Sequence, residues 1–199
     1  MFESYSEESL LVVMNAIDYA RLLGHRTVTT SHILYGLTCS TASMIAQSFA
    51  TMNITQIRVE KEVLNLYGRE DSLECLEIPF SKKAKRLLAG GERVRTELGH
   101  KNVLTCHLTL SGIGEEKGFF DILTKLEVNP LVLENNIRTA LSLASQTQLK
   151  EDRQIESMTR EDRINSFSRF AKSNPNWRPL LMTRLHTWSI DSEEIAANI

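Results

Sequence analysis

Apolar residues recur at helical spacing in eight stretches of this chain, and capping residues mark their ends. Leu10, Val13, Met14 and Ile17 form one stripe of a first helix. Ser6 caps it, Glu7 and Glu8 suit the positive end of its dipole, and Gly24 ends it. Thr30 caps a second helix carrying Ile33, Leu34 and Leu37. Met44, Ile45, Phe49 and Met52 mark a third, stopped at Asn53, which tolerates the left-handed conformation. A fourth runs from about Thr55 to Tyr67, with Ile57, Val63, Leu64 and Tyr67 inward and Gly68 at its end. After a linker over 69–79, Ser81 caps a fifth helix with Leu87, Leu88, Val94 and Leu98 inward. Gly90-Gly91 in its middle costs about 1 kcal/mol per glycine against alanine, which calls for close packing or a soft spot. Thr105 opens a sixth helix, Phe119 to Leu126 makes a seventh, and Asn129-Pro130 opens an eighth through Leu133, Ile137 and Leu141.

The pattern comes twice at an offset of 75 positions. Leu23-Gly24-His25 meets Leu98-Gly99-His100, while Val28, Thr30 and His32 meet Val103, Thr105 and His107. Tyr5-Ser6 meets Phe80-Ser81, an aromatic and a serine before each first helix. Such a repeat sets the architecture: two copies of one helical unit, plus a tail. The expected division is a repeat domain over 1–145 (copies 1–68 and 79–145) and an extension over 146–199. In the extension, 148–163 is dense in charge of both signs. Thr159 is placed to cap a short helix with Ile164, Phe167 and Phe170 on one face. Asn174-Pro175 to Arg178-Pro179 reads as a break, and Leu180, Leu181, Leu185 and Trp188 follow at helical spacing. Both tryptophans, Trp177 and Trp188, lie there, so the tail either packs back on the domain or forms an exposed docking element.

A net charge of -2 gives no electrostatic reason to expect nucleic acid or an anionic membrane. The start lacks the pattern of a signal peptide, and no apolar run is long enough for a membrane span. Cys39, Cys75 and Cys106, an odd number, suit free thiols in a reducing compartment. His25, His32, His100 and His107 invite a metal, but each pair stands seven residues apart with no cysteine or carboxylate at ligand spacing. Structural roles, capping or bonding a loop carbonyl, are expected instead. Cys106 beside His107 points to another helix face and has no orienting acid, so no nucleophile is expected. Glu115-Glu116 and Glu193-Glu194 read as solvated or helix-start charges, and no phosphate-cradling Gly-x-x-x-x-Gly-Lys-Ser/Thr occurs.

The repeated residues resemble the N-terminal domain of the Hsp100/Clp ATPases, most of all the ClpC type. Its repeat runs aromatic-Thr, a helix, Leu-Gly-His, then Thr-Glu-His-aliphatic-Leu-Leu-Gly-Leu. The first copy here reads Tyr5-Ser6, Leu23-Gly24-His25 and Thr30-Ser31-His32-Ile33-Leu34-Tyr35-Gly36-Leu37. The second reads Phe80-Ser81, Leu98-Gly99-His100 and Thr105-Cys106-His107-Leu108-Thr109-Leu110-Ser111. The resemblance implies an all-α fold of two pseudo-symmetric four-helix repeats. It also implies that Ser31 and Cys106 stand where bacterial ClpC carries the glutamates associated with phosphorylated arginine, so that recognition is expected to be weak or lost. Glycines expected near Asn53 and Glu127 are missing as well.

The expectation is therefore a free-standing, non-enzymatic accessory of the Clp protease system, similar to plastid ClpT-type proteins. It needs no cofactor or metal and docks on the Clp core or a ClpC-type ATPase, in a bacterial cytoplasm or, if processed, a plastid stroma. Candidate protein-binding residues are Ser31, Cys106, Tyr5, Phe80, Trp177 and Trp188. A substrate adaptor and an interaction module unrelated to proteolysis are the alternatives.

Overall fold

The computed structural model describes residues 2–40, 44–70, 78–114, 118–156, 159–173, 185 and 190–197. For Met44, 144–156, Ser166, Phe170 and Ser173 it describes the backbone alone. Among these residues the chain forms α1 (Glu7–Leu22), α2 (Thr30–Thr38), α3 (Met44–Thr51), α4 (Gln56–Tyr67) and α5 (Lys82–Glu97). There follow α6 (Thr105–Ile113), α7 (Phe119–Lys125), α8 (Pro130–Glu156), α9 (Arg160–Ser173) and α10 (Ser192–Ala196). All eight helices expected before residue 145 are present, and the fold is all-α. The chain divides into two compact units, Met1–Leu141 and Ser142–Ile199.

The serine caps act as anticipated: Ser6 Oγ accepts from Ser9 N at 3.2 Å and Ser81 Oγ from Ala84 N at 3.1 Å. Gly24 and Gly99 end α1 and α5 at φ 75° and 69°, and Asn53 and Glu127 take left-handed conformations at 55° and 59° where glycine would fit best. The cap of α2 differs from expectation. Thr29, not Thr30, is the N-cap residue, and Thr30 is the first helical residue.

In the first unit α1 packs on α2 and α5 on α6. The buried face of α1 is Val12, Val13, Ala16, Tyr19 and Ala20, so Met14, expected inward, is 57% exposed. Small residues decide this. Gly36 of α2 lies so near α1 that a Cβ there would stand 2.3 Å from the Val12 carbonyl oxygen. Only the alanine-bearing side of α1 permits that approach. On α4, Val59 and Val63 face the core, which leaves Ile57 on the opposite side and 79% exposed. Tyr67 on α4 and Leu98 at the α5 cap are also 43% and 37% exposed, against expectation, since both stand at helix ends.

Gly90-Gly91 resolves as close packing. A Cβ on Gly90 would lie 2.1 Å from Ser111 Oγ, and one on Gly91 2.8 Å from Leu108 Cδ2. Ser111 Oγ donates to the Leu87 carbonyl at 2.7 Å. Across the repeat Ser111 corresponds to Gly36 and Leu87 to Val12, so one copy thins α2 and the other thins α5.

The copies are laced together at their entries. Val103 N donates to Ser4 O at 2.7 Å and Ser6 N to Val103 O at 3.0 Å. Val28 N donates to Pro79 O at 2.9 Å and Ser81 N to Val28 O at 2.9 Å, the same pattern shifted by one repeat. Each entry segment therefore pairs with the connector of the other copy, giving isolated parallel bridges Tyr5–Val103 and Val28–Phe80.

In the second unit Phe167, Ala171, Leu185, Ile190 and Ile195 form a small core with Ile164 packed against it. Thr159 Oγ1 accepts from Asp162 N at 3.2 Å, as its capping role requires. Glu194 serves a helix start: it accepts from Asp191 N and from Arg160 Nη2. Glu115, Glu116, Cys75, Trp177, Leu180, Leu181 and Trp188 lie outside the described residues, as does the side chain of Phe170.

Candidate functional site

The four repeat histidines form two matched relays. Thr29 N donates to His32 Nδ1 at 2.9 Å, which leaves His32 with its proton on Nε2. That N–H donates to His25 Nδ1 at 2.9 Å, and His25 Nε2 in turn donates to Gly68 O at 3.1 Å. In the second copy Leu104 N donates to His107 Nδ1 at 2.9 Å, and His107 Nε2 lies 2.8 Å from His100 Nδ1. Burial, with the neighbouring imidazole adding to it, pushes the His32 pKa down to about 3; burial leads likewise at His107, down to about 4. Both stay neutral, and their ring nitrogens are engaged with backbone and with each other. Among the described residues no group of three or more His, Cys, Asp or Glu is arranged to hold a metal.

The second position of the Thr-x-His motif points inward in both copies. Ser31 is fully buried, its hydroxyl 3.4 Å from the Tyr67 hydroxyl. Cys106 is fully buried too, and burial pushes its thiol up to about 11, so it is no thiolate nucleophile. Tyr5, expected to face a partner, is instead a core residue whose hydroxyl donates to Leu88 O at 3.0 Å. Phe80 is half-buried. Phe2 joins these two aromatics, its ring centroid 5.0 Å from Tyr5 and 6.5 Å from Phe80. The structure thus brings Tyr5 and Phe80 together and keeps Ser31 and Cys106 in separate copies. None of Tyr5, Ser31 and Cys106 offers its side chain to a partner; Trp177 and Trp188 lie outside the described residues.

What is open to solvent is a groove of about 390 Å³ beside Ser31, lined by Thr29, Thr30, Tyr67, Ser81, Lys83 and Asp121 among others. The starts of α2, α5 and α7 converge on it, and several of their N–H groups are already taken: Thr29 N by His32, Ala84 N by Ser81 and Phe119 N by Thr30. Gly118, also in the lining, has φ 84°, and a Cβ there would stand 2.3 Å from Thr30 Oγ1. This lets Phe119 N donate to Thr30 Oγ1 at 3.2 Å, seating α7 on α2. Asp121 accepts from Gly118 N at 3.1 Å and is the carboxylate in the lining. The matching place in the other copy has Glu7 and Glu8 where this one has Lys82 and Lys83, and Glu8 is near enough to Cys106 to help raise its pKa.

A histidine-locked double helical repeat with a groove at its helix starts defines a class of all-α domain. The chain matches the family described as the Clp repeat (R) N-terminal domain over residues 4–126, and it belongs to that family. It is 35% identical over 140 residues to the chloroplastic chaperone protein ClpC1 of Oryza sativa subsp. japonica, covering 70% of this chain and 15% of that protein. It is 36% identical over 118 residues to the ClpA homologue, an ATP-binding subunit of the ATP-dependent Clp protease, of Porphyra purpurea, covering 59% and 14%. The chain thus spans only about a seventh of the length of these curated relatives. Its fold is similar to the N-terminal domain of the chaperone ClpD of Arabidopsis thaliana, with a TM-score of 0.61 at 20% identity, covering 71% of this chain and 97% of that one. It is also similar to the ClpV N-domain solved with a VipB peptide, at 0.55 and 19% identity, covering 70% and 88%. Among the described residues no helix is long and apolar enough to cross a membrane.

Proposed function

We propose that this chain is a non-catalytic accessory of a Clp protease system, docking on the proteolytic core or on a ClpC-type ATPase to modulate assembly or substrate delivery. The observation that carries this reading is the double repeat itself, matched over 4–126 and kept in register by both histidine relays. In both copies the family's glutamate position is a buried, uncharged side chain, which supports a shift away from phosphorylated arginine as ligand. The groove, with Lys82 and Lys83 in its lining, supports an acidic side chain of a protein partner instead. The substrate-adaptor reading has one support of its own, the peptide held by the similar ClpV N-domain. The chloroplastic relatives support the plastid stroma beside a bacterial cytoplasm as its compartment.

The test is size-exclusion of the intact chain mixed separately with a purified Clp core and with a purified ClpC-type ATPase. Co-elution with the core supports the accessory reading, and co-elution with the ATPase alone favours the adaptor. Lys83→Glu is expected to weaken whichever complex forms. If neither complex forms, a role in Clp proteolysis is excluded for these partners.

A further inference from the structure

Helices α1 and α5 occupy equivalent places in the two copies, so residues 75 apart project from equivalent points. The outward positions of α1 are Glu7, Leu11, Met14, Asp18 and Leu22, all exposed. Leu11, Met14 and Leu22 are 56%, 57% and 62% exposed, an apolar stripe left in water on the first helix of the fold. At the same points α5 carries Lys82, Arg86, Ala89, Arg93 and Glu97, again all exposed. The spacing of four, three and four over the first four positions is that of a helix–helix seam.

The two faces are opposite in charge at two of the five points, while at the fifth Leu22 stands against Glu97. Where α1 has an acid α5 has a base, at Glu7 against Lys82 and at Asp18 against Arg93. Between them α1 has the long side chain of Met14, and α5 has the small Ala89. Lysines at the start of α5 oppose its dipole and repel one another, so α5 carries charge that its own fold does not reward. Asp18 already pairs with Arg21 at 2.6 Å, but an exposed pair on one helix is worth little and is readily exchanged.

We propose that α1 of one molecule docks along α5 of a second copy of this chain, parallel and in register. Glu7 then meets Lys82, Asp18 meets Arg93, Met14 sits over Ala89, and the aliphatic stem of Arg86 covers Leu11. A single row of cations on a chain of net charge -2 is a poor match for a polyanion such as RNA, whereas it fits this face of its own chain. The contact is heterologous, so a pair of molecules leaves one α1 face and one α5 face open to further copies.

Sedimentation velocity over a range of concentration and salt tests this. The wild type is expected to gain mass with concentration and lose it as salt rises. E7K/D18R, with two basic faces, and K82E/R93D, with two acidic ones, are each expected to stay monomeric with unchanged helical circular dichroism. Mixed together, they are expected to associate again. A monomeric wild type overturns the proposal, as do charge-reversed variants that associate alone or a mixture that stays monomeric. A second measurement does not depend on charge: M14C in one chain and A89C in another are expected to crosslink when mixed, beyond any crosslinking of the wild type. No such increase counts equally against it.

Discussion

His32 holds three things at once: the Thr29 N–H that begins α2, the ring of His25, and through that ring the carbonyl of Gly68 that ends α4. Replacing it by alanine leaves the Thr29 backbone donor and the Nδ1 of His25 without these partners inside the fold. His32→Ala is therefore expected to cost about 2 kcal/mol or more, measured by urea unfolding. The histidines also make stability depend on pH. In the native state the His32 pKa is lowered to about 3 and that of His107 to about 4, below the ordinary 6.5. Between those values and 6.5 the unfolded chain binds protons that the folded chain refuses. Stability is thus complete above about 6.5 and falls as pH drops toward 4, by up to about 1.4 kcal/mol per pH unit for each histidine. Thermal melts between pH 7 and pH 4 check the sign; a midpoint that rises on acidification would contradict the relay.

At the scale of elements, the approach of α1 to α2 turns on Gly36. In a helix interior glycine to alanine ordinarily gains about 1 kcal/mol. Here the new methyl would meet the rigid Val12 carbonyl, so Gly36→Ala is expected to destabilise by about 1–3 kcal/mol, read as a lower urea midpoint. This contact also marks how far the sequence could be read. Caps, ends and the eight helices follow from local chemistry at Ser6, Ser81, Asn53 and Pro130. The inward face of α1 follows only in part: Val13 is buried and Leu10 and Ile17 pack against the core, but Met14 is as apolar as Val12 and Ala16, and only the neighbouring helix chooses between them. The groove was hidden for a related reason. Thr29, Tyr67, Ser81 and Gly118 meet only once three helix starts have been folded together. Ser31 and Cys106 were conspicuous as motif positions, yet a motif position does not tell whether its side chain faces the solvent.

For the whole molecule, the 75-residue offset revealed two copies, but nothing in it indicated that each entry would pair with the other copy's connector. Those exchanged hydrogen bonds, with Tyr5 reaching Leu88 and Arg58 reaching Leu126, make each copy part of its partner's core. A chain of residues 1–70 alone is accordingly expected to show little helical circular dichroism and no cooperative melt, whereas 1–141 melts as a unit. Independent folding of the short piece would refute that mutual dependence. The lacing has a consequence for birth order. Ser4 and Ser6 wait for Val103, so the first repeat, though made first, cannot be completed on the ribosome until the connector of the second has emerged.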